Sequence, residues 1–569
     1  MTEHAGFSRA FYIANVMEIL ERIAWYGFFA VSSLYMSASV ASGGLGLSEA
    51  QRGVVQGVIP FFVYLLPVVT GALGDRLGYR RLFIVAYIVL APSYFLLGQV
   101  SGFWPFFGFY LLVAVGAAIF KPLVVGTVAR SSTETNRGRA FGIFYMMVNV
   151  GGFLGPVIAG VMRTISWDYV FLLSSGVILL NLLVCVFFFP RDADIVRAPG
   201  ALGRSLKDAA EVIGNGRFAL LVVPVVFGLM VAGGGWVSWP QLVTGVFIWL
   251  LVNLLWDRSQ TSLRPATDDP WHRQRMRIGN GAFLVYILTL TLFWAVYNQI
   301  FLTMPLYLRD FVDTSDLVQL AARLSPALAQ GLSPVNEAQL AALLAELSTM
   351  DALSAADALR RLVELQVRPP LEAIEASLAQ VARGELATES LASGWAMSYR
   401  QVSPEYLISI DFLMIVLCQY LISARIEGRP PFRILIAGTG LIGVSYLLGG
   451  LAHAVPVGGF FVMGSAVLFA TGEMLASPKS QEYVAAVMPK QQAAMYMGFY
   501  FVSLALGFLA AGILSGSFYQ HFALNLGRPF LMWAGFAALA VLAMLALLVF
   551  DRTLAGRLAN AALTRREHV

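Results

Sequence analysis

The sequence predicts an all-α membrane protein with fourteen spans, and three observations carry that reading. Of its 569 residues, 58% are hydrophobic and only 12% are charged, whereas a soluble domain carries roughly 25% charged residues. Apolar runs of spanning length recur along the chain, and each can cross a hydrocarbon core of about 30 Å at about 1.5 Å per helical residue. Basic residues cluster in the short loops that follow alternate runs, the pattern of the positive-inside rule. The net charge of +5 is therefore spent at a membrane surface and implies the lipid bilayer, not nucleic acid, as partner.

The first run covers about 11–38, followed by 54–73, 82–99, 104–129, 139–162 and 168–189, giving an N-terminal six-helix bundle over 1–190. A linker, 191–280, holds an inserted pair at 218–235 and 239–256, interrupted by Gly233-Gly234-Gly235 and Pro240. A second set at 282–307, 406–424, 432–451, 457–477, 493–515 and 528–550 forms a C-terminal bundle from 281–308 and 404–551, followed by a tail, 552–569. Arg76, Arg80 and Arg81 follow the second span, Arg130, Arg137 and Arg139 the fourth, and Arg425, Arg429 and Arg433 the eighth. This places both termini in the cytoplasm of a multi-pass protein of the cell inner membrane. No signal peptide is expected at the N-terminus. Cys185 and Cys418 lie in apolar runs, so no disulfide framework is implied.

Residues 309–403 do not span. They hold 12 acidic residues, seven arginines and no lysine. Leucines at helical spacing, with starts at Ser333-Pro334 and at Ser354 with Asp357, predict three or four short amphipathic helices outside the membrane. The segment is a spacer or lid, or a module for a partner that remains unknown.

The costliest feature is Glu18-Ile-Leu-Glu21-Arg22 inside the first span. Charges at mid-span cost on the order of 3 kcal/mol each, and ionisable groups there are functional candidates by default. On a helix the three share one face, so Arg22 pairs with one carboxylate and the other needs a further cation or a proton. Lys121 is a candidate, in a chain with four lysines against 34 arginines. Lysine can shed its proton when buried and arginine cannot. The alternative is a lysine reaching to the interface. Glu473 is an isolated acid in an apolar stretch, which a substrate ammonium could match. Asp411 lies in the apolar run 406–418, where pairing with Ser409 or the backbone is the plainer reading. The five histidines sit outside the spans or near their ends, leaving intramembrane proton chemistry to carboxylates, Lys and Tyr. There is no metal-ligand spacing, no nucleophile-base set and no phosphate-binding loop. Gly438-Thr-Gly440-Leu-Ile-Gly443 has no strand before it and is not a nucleotide site. No cofactor or catalytic residue is expected; the protein is read as a transporter, not an enzyme.

Gly71-Ala-Leu-Gly-Asp75-Arg76-Leu-Gly78-Tyr-Arg80-Arg81 resembles the loop signature of the major facilitator superfamily, implying that fold and a gating role for Asp75, Arg76 and Arg80. Glu18-x-x-Glu21-Arg22 with Trp25-Tyr26-Gly27 resembles the first helix of its proton-dependent oligopeptide transporter family. Ile119-Phe120-Lys121-Pro122 resembles the fourth, Phe144-Tyr145-Met-Met-Val-Asn149-Val-Gly151-Gly the fifth, Phe293-Trp294 with Gln299 the seventh, and Gly472-Glu473-Met-Leu-Ala-Ser-Pro478 the tenth. The inserted pair is similar to that of bacterial members. The resemblance implies proton-coupled symport of di- and tripeptides, with small peptides and protons as partners. It implies a salt bridge between Lys121 and the first-helix cluster, and proton coupling through Glu18, Glu21, Arg22 and Lys121. Arg22 and Lys121 would bind the peptide carboxylate and Glu473 its amino terminus. Tyr26, Tyr64 and Asn149 would add hydrogen bonds, and Trp294 would wall a side-chain pocket.

Two departures bear on coupling. Asn298 stands where the family usually has a seventh-helix glutamate, and asparagine cannot titrate. Trp25 replaces the common tyrosine. Asp411 is the candidate that partly replaces the missing acid. Asn298 therefore also suits a carrier of another organic anion or metabolite with weak or no proton coupling. A scaffold or sensor acting through 309–403 is the rival of a different class.

Overall fold

The computed structural model describes residues 7–67, 70, 74, 77–133, 136–191, 215–259, 275–277, 280–350, 353–487, 493–556 and 558. Among these the only β pairing is one isolated bridge, Val367 with Arg400; the rest of the regular structure is helical. The first half comprises α1 (Arg9–Ser37), α2 (Glu49–Leu65), α3 (Tyr79–Leu97), α4 (Phe103–Arg130), α5 (Arg137–Ile165) and α6 (Trp167–Phe188). The inserted pair is α7 (Gly216–Gly233) and α8 (Trp239–Ser259). The predicted seventh span is three pieces: α9 (Gly281–Tyr297), α10 (Gln299–Leu302) and α11 (Met304–Phe311).

Twelve helices among the described residues are long and apolar enough to cross a membrane, including both inserted ones. The two predicted spans outside that set are α1, which carries the Glu18–Arg22 cluster, and α2, which is described for 17 residues. Serine caps start both: Ser8 Oγ accepts from Phe11 N (3.4 Å), and Ser48 forms a capping box with Gln51.

Glycines set how closely the bundle closes. A Cβ on Gly151 of α5 would lie 2.5 Å from Arg22 Cβ, and one on Gly155 would lie 2.7 Å from Gly27 N. A Cβ on Gly152 would lie 2.7 Å from the Phe412 ring of the second half. The Gly151-Gly152 pair is thus the crossing point where α5 meets its own half on one side and the other half on the next. Close approach through small residues is the usual means of helix association in lipid, where apolar surface gains little from leaving the solvent.

The insertion folds into six short helices rather than three or four: α12 (Ser315–Leu324), α13 (Pro326–Leu332), α14 (Glu337–Ser348), α15 (Ala355–Leu362), α16 (Leu371–Ala382) and α17 (Thr388–Ser398). Pro326 is the first residue of one of the additional helices and Pro370 caps another. The start expected at Ser333-Pro334 falls instead on Asn336, whose Oδ1 accepts from Gln339 N at 3.1 Å. Ser354 caps Asp357 as expected, at 3.1 Å. Leu340, Leu344, Leu362, Ile374 and Trp395 give the insertion a core of its own. The second half continues with α18 (Pro404–Ile426), α19 (Pro431–Gly450), α20 (Gly458–Val487), α21 (Ala493–Phe518) and α22 (Pro529–Phe550).

Candidate functional site

Glu18, Glu21 and Arg22 are all buried where α1 faces α5. Arg22 serves both carboxylates: Nε lies 2.6 Å from Glu21 Oε2 and 3.3 Å from Glu18 Oε1. Glu18 Oε2 has no hydrogen-bond partner, so the charge imbalance expected from the sequence is real and rests on Glu18. Lys121 does not close it by contact, and the salt bridge implied by the family resemblance is not formed. Its Nζ sits 3.8 Å from the centre of the Tyr64 ring, a cation–π contact, and acts on Glu18 only through the field. Lys121 is half-buried, and its ammonium is directed toward Tyr64 of α2.

Tyr64 in turn stacks on Phe508 of the second half (centroids 5.5 Å, 13° between planes). Tyr26 lies under the Arg22 guanidinium (5.6 Å) and edge-on to Phe412 of α18 (4.9 Å). These aromatics join the two halves. Tyr26, Tyr64, Lys121 and Tyr297 are half-buried and Tyr145 is exposed, although all lie within spanning helices. Asn149 is buried, with Nδ2 on the Tyr145 carbonyl at 2.9 Å. Trp294 is buried against Tyr297 (5.1 Å) and Tyr500 (6.4 Å).

The acid end differs from expectation. Ser409 Oγ donates to the Glu405 carbonyl (2.7 Å), not to Asp411. Asp411 instead faces Glu473 within hydrogen-bonding reach, with Tyr297 beside them. Glu473 is therefore not a solitary acid: α18 and α20 bring two carboxylates together. Asn298 is fully buried, and its Nδ2 is committed to the Trp294 carbonyl at 2.7 Å.

A second polar network closes the end that carries the insertion, and sequence reading missed its centre, Arg52. Fully buried on α2, Arg52 donates to Glu49 (2.6 Å), Gln56 (2.6 Å), Ser515 (3.1 Å) and the Leu302 carbonyl (3.2 Å). That carbonyl also accepts from Ser33 Oγ (3.1 Å). It is available because the helix breaks at Thr303, whose hydroxyl turns to Gln299 (2.6 Å) and Ser515 (2.8 Å). The spacing Glu49-x-x-Arg52-x-x-x-Gln56 at the head of an apolar run was the available signal.

The insertion seals the same end. Glu364 accepts from Ser39 Oγ (2.8 Å), Ser42 Oγ (2.6 Å) and Ser39 N (3.2 Å) of the first half. Asp316 accepts from Gly459 N (3.2 Å) and Phe460 N (3.0 Å) of the second. Gln366 is the one non-glycine residue with positive φ (63°) among those described, and it meets Arg163 and Ser403. A cavity of about 430 Å³ lies between insertion and first half, lined in part by Arg163, Asp168, Arg361 and Glu364. Of the expected gating residues, Asp75 and Arg76 lie outside the described residues. Arg80 donates from Nη2 to the Val186 carbonyl at 2.7 Å.

The profile described as Major Facilitator Superfamily matches residues 16–335. Among curated proteins, the "Peptide transporter YePEPT" of Yersinia enterocolitica subsp. palearctica is 24% identical over 52% of this chain and 59% of its own length. The "Dipeptide and tripeptide permease A" of Serratia proteamaculans is 30% identical over 31% of this chain and 36% of its own. The chain thus spans between about a third and three fifths of these relatives. Among solved structures, a POT family transporter in complex with 5-aminolevulinic acid aligns over 97% of this chain and 98% of its own, with a TM-score of 0.62 and 17% identity. The nucleoside transporter NupG aligns over 95% and 99%, with a TM-score of 0.53 and 12% identity.

Proposed function

Because this chain belongs to the Major Facilitator Superfamily, we propose that it is a secondary active transporter of its oligopeptide branch, importing di- and tripeptides with protons by alternating access. One observation carries the reading. Tyr26 lies under the Arg22 guanidinium and also feels the charge of Glu473, so a cationic group on the first half and an acidic group on the second are close to one tyrosine. A zwitterion of peptide length fits that polarity, its carboxylate toward Arg22 and Lys121 and its ammonium toward Glu473. Tyr26, Tyr64 and Asn149 supply hydrogen-bonding groups beside it, Trp294 flanks it, and Asn298 presents an unsatisfied Oδ1 nearby. The peptide and dipeptide names of the curated relatives agree with this.

In the cycle, a proton taken up by the Glu18/Glu21 pair weakens its hold on Arg22, which always remains charged. Arg22 and Lys121 then hold the peptide carboxylate, Asp411 adds a second titratable acid at the other end, and the halves rock about the cleft. Release of peptide and proton restores the Glu18–Arg22–Glu21 contacts. Asp75, Arg76 and Arg80 gate the cytoplasmic end. The reading puts the protein in the inner membrane with both termini cytoplasmic. Dipeptide uptake into proteoliposomes, with and without an imposed pH gradient, tests it: uptake must rise with the gradient, and uptake indifferent to it rejects symport.

Asn298 favours one second reading, a carrier of another small organic anion or metabolite with weak coupling, because its buried amide cannot take up a proton. Failure of dipeptides to compete against a substrate panel would select it.

A further inference from the structure

Asp411 and Glu473 are 1% and 7% exposed, and each lies within hydrogen-bonding reach of the other. Both Asp411 oxygens and Glu473 Oε2 receive no hydrogen bond from any donor among the described residues. The titratable groups facing the pair are tyrosines from five neighbouring helices: Tyr26 of α1, Tyr145 of α5, Tyr297 of α9, Tyr446 of α19 and Tyr500 of α21. Arg22 stands beyond Tyr26, and among the described residues no lysine, arginine or histidine pairs with either acid.

Phenols can donate to a carboxylate, but they do not neutralise it. Two buried carboxylates side by side with no cation cannot both stay ionised. They titrate as one unit, sharing a proton. With one proton the pair carries a single negative charge, and one more positive equivalent would balance it. A substrate ammonium is one such equivalent; a second proton, delivered to a free carboxylate oxygen, is another.

Resting on the peptide reading above, we propose that Asp411 and Glu473 form one exchangeable cation site that takes either a proton or the substrate's ammonium, so that the transporter also accepts peptides lacking a free amino group. The pair replaces the amine with a proton from solvent, at no change in the charge of the occupied site. Binding an amine-free peptide therefore takes up one more proton than binding the amine-bearing one.

The test compares Ala-Ala with propionyl-alanine, the same molecule with its ammonium replaced by hydrogen. Affinities of the full-length purified protein for both are measured from pH 5 to 8. The ratio of the two affinities should change by about tenfold per pH unit over part of that range, propionyl-alanine gaining as pH falls, as linkage to one proton requires. Calorimetry in buffers of different ionisation enthalpy should find one extra proton bound with propionyl-alanine. In Asp411→Asn, checked for folding by its melting transition, the slope should move to lower pH or vanish. A ratio independent of pH in the wild-type protein, with both ligands bound, overturns the exchangeable site. If neither ligand binds at any pH, the peptide reading itself is overturned.

Discussion

Arg163 and Glu405 form an ion pair between the two halves: Nη2 of the arginine lies 3.1 Å from Oε1, and their side chains are 6% and 0% exposed. Arg163 ends α5 of the first half, and Glu405 starts α18 of the second. Removing one partner of a buried pair strands the other charge, at a cost of roughly 3–5 kcal/mol. Glu405→Gln should therefore shift the protein toward opening at the insertion end. Spin labels on the exposed Val40 and Met397 should report a longer, broader distance distribution. An unchanged distribution would deny the pair a gating role.

Lys121→Ala should abolish uptake driven by a pH gradient while leaving counterflow of labelled dipeptide measurable. Its ammonium has no ion partner among the described residues and rests on the Tyr64 ring, so it is available to a ligand. Lys121→Arg keeps the cation–π contact but not the ability to lose a proton. That variant should bind dipeptide yet couple poorly. Full gradient-driven uptake by Lys121→Ala rules out the cycle proposed above.

Gly151→Ala should displace Arg22, because the added carbon would lie 2.5 Å from Arg22 Cβ and 2.8 Å from the Ile19 carbonyl. Overpacking of this kind costs typically about 1–3 kcal/mol. The melting temperature in detergent should fall, and dipeptide affinity should fall with it. Gly142→Ala, where an added Cβ meets no atom within 4 Å on the same helix, is the matched control.

The insertion should loosen in acid. Arg361 donates to Glu346 at 2.9 and 2.8 Å and holds its carboxyl below the ordinary value. A depressed value in the folded state means that this contribution is full above the unfolded value, about 4.3, and is lost as pH falls through the folded one. Glu346 is exposed to solvent, so the effect is small. Hydrogen exchange in 337–365, corrected for intrinsic rates, should rise below about pH 4. Arg361→Ala should remove that dependence.

How much of this was legible depends on range. Apolar runs located most of the spanning helices, since spanning length is a local property of composition, although the tenth runs on to Val487 and the seventh is in three pieces. The break at Thr303 was marked only by Pro305 two residues on, and the hydroxyl's own role is not readable until Ser515 and Gln299 are brought to it. Arg52 was visible as a charge but fell just outside the predicted run, so its burial went unread. The Asp411–Glu473 contact joins two helices separated in the chain by α19, and neither helix's periodicity reveals it. For Lys121, burial and residue type were readable, but its partner was an aromatic face rather than a carboxylate.

The insertion is continuous in the chain with the second half, yet Glu364 clasps Ser39 and Ser42 of the first. In the alternating-access cycle proposed above, it would detach from one side only, travelling with the second half when the insertion end opens. The turn at Ser39–Gly43 would then be an epitope exposed in only one state of that proposed cycle. An antibody fragment raised against that turn would bind one conformation, hold the clasp open, and arrest transport without touching the substrate path.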